Sequence, residues 1–204
     1  MSAPAHRKAT YEEYLAVERE RGVKHEWIDG EVYAMAGGSP QHAALASRVN
    51  AAIARVLGSG PCVAFSSDLK LFIEARNRVT YADVAVVCGP LARAPHDHDA
   101  VTNPVVLVEV LSDNTEAEDR GGKFADYGTL TSLREYVLVD QHEPGIEVFH
   151  RNQEGNWMLV RHGVRNSVRL TSVGAEFSVQ EIYAGIELEP RRSRPYLVVP
   201  PTEA

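Results

Sequence analysis

Two acids and a lysine are the most informative residues of this chain. Asp83 sits in YADVAVV (81–87) and Glu109 in PVVLVEVLS (104–112), and both runs are rich in Val and otherwise almost wholly apolar. Such runs read as buried strands, and a carboxylate inside one is costly to bury without a partner. Two of them, followed by Lys123, suggest a divalent-metal site suited to phosphodiesters. Hydrolysis of a phosphodiester needs a metal to polarise the phosphoryl oxygen, an activated water and stabilisation of the leaving oxygen. Hard carboxylate oxygens select Mg2+ or Mn2+. A nearby lysine can orient or deprotonate water, or steady the developing charge. The competing reading of the same three residues is a buried structural ion pair.

The elements that must position these residues follow from the pattern. Thr10 with Glu13 forms a capping box for a helix running to about Arg21, ended by Gly22. Asp29-Gly30 is a two-residue turn signal between Glu26–Ile28 and Glu31–Ala36. Ser39 and Pro40 suit the N-cap and first position of a helix to Leu57, with Leu45, Val49, Ile53 and Val56 on its apolar face. A strand over Cys62–Ile73, a turn at 75–77 and a strand over Val79–Cys88 predict a second hairpin. A polar loop over 89–103 leads to the strand carrying Glu109. After a loop at 112–118, a helix over Asp119–Leu130 and a strand over Glu135–Asp140 complete a strand–helix–strand unit, which implies a parallel crossover. Strands at 145–151 and 157–162 and a short helix at 179–186 follow. The pattern predicts an α/β (α+β) domain with a mixed sheet flanked by helices, plus extra hairpins. It covers residues 10–187, with loose tails at 1–9 and 188–204.

Composition narrows the function classes. The 204 residues are 44% hydrophobic and carry a net charge of −7. No apolar run is long enough to span a bilayer, and no apolar segment near the N-terminus reads as a secretory signal. A cytoplasmic protein is expected, with Cys62 and Cys88 as reduced thiols. Strong backbone binding to nucleic acid usually shows as a basic face. The acidic balance requires instead a local basic patch, bound metal ions or a partner. His96-Asp97-His98-Asp99 lacks a second ligand group at recognisable spacing and is read as a solvated loop. Gly37-Gly38-Ser39 lacks the rest of a P-loop and is read as a turn. Trp27 and Trp157 are assigned to packing, and Arg191-Arg192-Ser193-Arg194 to a solvated tail.

Three separated runs also carry a resemblance: HEWIDGEVYAMAGGSPQH (25–42), SSDLKLFI with RVTYADVAVVCG (66–89), and VEVLSDNTEAEDRGGKFADYGTLTSLREYVLVD (108–140). In this order they resemble the Uma-type restriction endonucleases of the PD-(D/E)XK nuclease superfamily, over nearly the whole chain. The resemblance implies a restriction-endonuclease-like core with Asp83 as first acid and Glu109 as second. The superfamily lysine, usually two residues after the second acid, is replaced there by Leu111. It corresponds instead to Lys123 in the run Asp119-Arg120-Gly121-Gly122-Lys123. The carbonyl of Val110 is implied as a further metal ligand. Ala82 stands where proline is usual, and Ser112-Asp113-Asn114-Thr115 replaces a more usual loop. Glu31 and His42 match motif positions that could complete the metal shell or bind phosphate, and Glu26 is a weaker candidate of the same kind. The implied activity is Mg2+- or Mn2+-dependent cleavage of DNA by a homodimer. The alternatives are an RNA- or structure-specific nuclease and a catalytically silent interaction module on the same fold.

Overall fold

The computed structural model describes residues 8–19, 23–35 and 37–191. The capping box forms as its residue types require. Thr10 caps α1 (Tyr11–Glu18), its hydroxyl accepting from the Glu13 N–H at 3.2 Å while the Glu13 carboxylate accepts from the Thr10 N–H at 2.8 Å. The expected end of this helix at Arg21–Gly22 lies outside the described residues, as do Ala36 and the tails at 1–7 and 192–204. Strands β1 (His25–Ile28) and β2 (Glu31–Ala34) pair through the Asp29-Gly30 turn, whose φ angles of 46° and 92° are those of a primed hairpin turn. Helix α2 (Pro40–Leu57) starts at Ser39, whose Oγ accepts from the His42 N–H at 3.1 Å. Leu45, Val49 and Ile53 are fully buried. Val56, expected on the same face, points outward, and Leu57 packs against the core in its place.

The segment from 62 to 88 departs most from the sequence pattern. Each expected strand is broken in two, giving β3 (Cys62–Ser66), β4 (Lys70–Ile73), β5 (Arg78–Tyr81) and β6 (Val84–Cys88). The inner pair β4–β5 is an antiparallel hairpin closed by a 3-10 turn at Glu74–Arg76, and the outer pair β3–β6 is antiparallel as well. The two pairs belong to different sheets. One arm bends at 67–69, the other at Ala82–Asp83, so Asp83 stands where the chain crosses between sheets. Cys62 and Cys88 face each other in the β3–β6 register and form a disulfide, correcting the expectation of reduced thiols.

The polar stretch 89–103 is not a plain loop. It contains β7 (Arg93–Ala94) and β8 (Asp97–Val101), and β8 pairs parallel with β4. Strand β9 (Val106–Leu111) carries Glu109 and pairs parallel with β10 (Glu135–Asp140), as the crossover implies. The helix between them is split at Gly121 into α3 (Glu116–Arg120) and α4 (Gly122–Tyr127), and α3 begins inside the expected loop. Strands β11 (Gly145–Arg151) and β12 (Trp157–Gly163) follow, then β13 (Ser167–Leu170), β14 (Ala175–Ser178) and α5 (Val179–Tyr183).

The fold is α+β with two mixed six-stranded sheets, ordered β2-β1-β5-β4-β8-β7 and β12-β11-β10-β9-β6-β3, and a separate β13–β14 hairpin. Strand periodicity sorts β9 cleanly. Val106, Val108 and Val110 join the cluster built on Leu45, Val49 and Ile53 of α2. Leu107 and Leu111 join a second cluster with Tyr127 and Tyr136. Glu109 falls on this second face, beneath α4. Among the described residues no helix is long and apolar enough to cross a membrane.

Candidate metal and active site

The bend at Asp83 and the strand of Glu109 are joined directly. The Val110 N–H donates to Asp83 Oδ2 at 2.7 Å, which ties the first acid to the residue that follows the second. His42, one turn into α2, places Nε2 3.2 Å from the same oxygen. Glu109 is 4% exposed, and its Oε1 accepts from Lys123 Nζ at 3.1 Å and from the Tyr127 hydroxyl at 2.8 Å. Lys123 Nζ also lies 3.2 Å from Oδ1 of the buried Asp119. Asp119, Lys123 and Tyr127 recur every four residues, so α3 and α4 present them on one side despite the break at Gly121.

The electrostatics show too little positive charge. Burial pushes the Glu109 carboxyl up to about 8, Asp83 and Asp119 add to this, and Lys123 and the Tyr127 bond offset only part of it. Burial likewise raises Asp119, against the pull of Lys123. Lys123 moves the other way from an isolated buried amine. Burial favours the neutral form, but Glu109, Asp119 and Glu26 outweigh it and hold the ammonium above the ordinary lysine value. His42 behaves similarly, with the Asp83 bond and the fields of Asp83, Glu109 and Asp119 outweighing its burial. Three carboxylates therefore share one ammonium and one imidazole.

That donor chemistry fits a hard divalent cation, because the free oxygens are carboxylate oxygens and the local charge is negative. Among the described residues no three His, Cys, Asp or Glu side chains converge as a ligand group. A cation here would take Asp83 and Glu109 and complete its shell from backbone carbonyl, water or phosphate.

A cleft of about 560 Å3 reaches His42 and Asp83 of this group and is bordered also by Lys24, Asn50, Ser66 and Ser67, while the buried Glu109, Asp119 and Lys123 do not line it. A family model described as "Uma2: Putative restriction endonuclease" matches residues 11–187. The chain belongs to the Uma2 family. Two uncharacterized proteins of Synechocystis sp. are similar to it. One is 38% identical, covering 88% of this chain and 93% of its own. The other is 32% identical, covering 74% and 85%. A crystal structure from Anabaena variabilis, described as a putative nuclease belonging to DUF820, superposes with a TM-score of 0.63 at 16% identity, covering 78% of this chain and 89% of that one. That likeness shows a shared fold.

Not every candidate residue of this Uma2 chain meets at the acids. Asp83, Glu109, Lys123 and His42 do. Glu31 stands apart on the exposed edge strand β2, where its carboxylate takes the Tyr33 hydroxyl. Glu26 accepts from Thr80 and lies 3.5 Å from Arg78 Nη2, reaching Lys123 through its field. Asp97, read as part of a solvated loop, is buried and paired with Lys70 at 3.0 Å, while His96, His98 and Asp99 are exposed. Arg191, assigned to a solvated tail, bridges Glu116 and Asp140; residues 192–194 lie outside the described chain.

Three residues of the site escaped the sequence reading. Asp119 and Tyr127 were detectable by their four-residue spacing around Lys123. Arg78 carried no such signal. It is 2% exposed on β5, and its Nη1 reaches Glu118 of α3 at 3.0 Å and Asp126 of α4 at 2.9 Å. One guanidinium thus fastens both half-helices, and with them Lys123, to the first sheet.

Proposed function

We propose that this Uma2 protein is a Mg2+- or Mn2+-dependent endonuclease that hydrolyses DNA phosphodiester bonds. The observation that carries the reading is the joining of Asp83 to the Glu109 strand through the 2.7 Å Val110 N–H bond, with Lys123 on Glu109. Asp83, Glu109 and the Val110 carbonyl would hold the cation. When bound, it would supply Lewis-acid polarisation of the phosphoryl oxygen and a more acidic water. Lys123 is held as an ammonium, so its part is to orient water and to stabilise developing negative charge, not to remove a proton. His42, drawn toward its charged form by the Asp83 bond and the neighbouring acids, borders the cleft and suits a phosphate contact.

The substrate requires this arrangement because the chain as a whole is acidic. A homodimer belongs to the same reading, and the edge strand β12, which exposes Met158, Leu159 and Val160, supports it. The test is cleavage of supercoiled DNA with Mg2+ or Mn2+. Wild-type protein nicks it, EDTA stops the reaction, and Asp83→Ala loses at least about a hundredfold in rate. Equal cleavage by wild type and Asp83→Ala, or none by either on DNA of any form, overturns the proposal.

A further inference from the structure

We propose that Tyr127 is a positioning residue for the metal site: its hydroxyl, together with Lys123, holds Glu109 Oε1 so that Oε2 is left for the cation shared with Asp83. The inference rests on the metal-site reading above and deepens it.

Tyr127 is the last residue of α4, four positions after Lys123, and is wholly buried. Its hydroxyl donates to Glu109 Oε1 at 2.8 Å, and Lys123 Nζ meets the same oxygen at 3.1 Å. Among the described residues no hydrogen bond takes up Oε2. Two donors on one oxygen fix the rotation of the carboxyl plane, a freedom otherwise left broad in a terminal sp3–sp2 torsion. The Tyr127 ring is itself held, edge-on to Tyr136 with centroids 5.4 Å apart, in a cluster with Leu107 and Leu111. The hydroxyl therefore cannot swing away without disturbing the core.

The choice of a hydroxyl has a physical reason. Lys123 is also drawn to Asp119, so it is shared between two acids. A second ammonium at Glu109 would cancel more of the negative charge that attracts a cation. A phenol hydroxyl orients Glu109 and adds no charge. Groups that aim a metal ligand in this way change affinity by about ten- to a hundredfold when removed.

Manganese calorimetry and Mn2+-dependent nicking of supercoiled DNA, on wild type, Tyr127→Phe and Tyr183→Phe, test this. Tyr183 is a control of matched chemistry: its buried hydroxyl donates to the carbonyls of Asp140 and Gly145 at 2.6 and 2.8 Å, away from the acids. Tyr127→Phe is expected to bind Mn2+ at least about tenfold more weakly, with kcat reduced and the KM for DNA unchanged. Tyr183→Phe, with a comparable loss of stability in urea, is expected to keep wild-type affinity and kcat. Wild-type Mn2+ affinity and kcat in Tyr127→Phe overturn the inference alone, as does an equal loss in both variants. A wild-type protein that binds no Mn2+ overturns this inference and the metal-site reading together.

Discussion

Glu109 is a carboxyl group that folding makes harder to ionise. Its value rises from 4.5 to about 8, chiefly through burial. The folded, metal-free protein therefore keeps a proton that the unfolded chain releases. The stability this contributes is fully present below the unfolded value and is lost as pH rises through the folded one. His42 and Asp119, also raised, act in the same direction. The expected outcome is a metal-free Tm that falls from about pH 5 to about pH 9. Glu109→Gln should flatten that fall, and saturating Mn2+ should remove it, since an ion that binds only the folded state stabilises it by mass action. A Tm that rises over this range with EDTA present contradicts the assignment. The two acids were legible in the sequence because each interrupts an apolar run. Tyr127 was missed although its spacing from Lys123 was visible, because a tyrosine on an apolar helix face has the pattern of core packing until its hydroxyl is seen to meet a carboxylate.

At the scale of elements, the site depends on how α3 and α4 are fastened. They are short, and Gly121 breaks them, so helix propensity contributes little to holding Lys123 in place. Arg78 does this instead, with Nη1 of its guanidinium reaching both half-helices while Nη2 faces Glu26. Arg78→Lys keeps the charge and loses the planar group that spans these acids. It is expected to cost about 2 kcal/mol in urea denaturation and to weaken Mn2+ binding as Lys123 loosens. Unchanged midpoint and affinity would show that the half-helices are held by packing alone. The parallel β9–β10 crossover, the Asp29-Gly30 turn and the Ser39 cap followed directly from local residue chemistry. The splitting of 62–73 and 79–88 between two sheets did not. It depends on tertiary pairing, and a bend at Ala82–Asp83 leaves little trace in a run of β-formers. That missed bend is what brings Asp83 to Val110.

Two features belong to the whole molecule. The Cys62–Cys88 disulfide closes a long segment that passes through both sheets, over a sequence separation of 26. Reduction, or the double replacement by Ser, is expected to lower stability by about 3 kcal/mol, read as a drop in Tm with dithiothreitol. No drop would mean the β3–β6 pairing holds the edge unaided. Spacing could not distinguish paired from free thiols, because the pairing depends on a register that only the fold defines. The second feature is the net charge of −7. Binding to a polyanion should then depend on the divalent ion itself. DNA affinity measured with Ca2+ in place of Mg2+ is expected to exceed that in EDTA by at least about tenfold, and equal affinities would point to a basic surface elsewhere. The most direct test is a crystal soaked in Mn2+ and measured at the manganese edge. One anomalous peak is expected, bound by an Asp83 oxygen, Glu109 Oε2 and the Val110 carbonyl, at about 2.0–2.3 Å. A peak only at the exposed His96, His98 and Asp99 side chains, or none between the two acids, would contradict it.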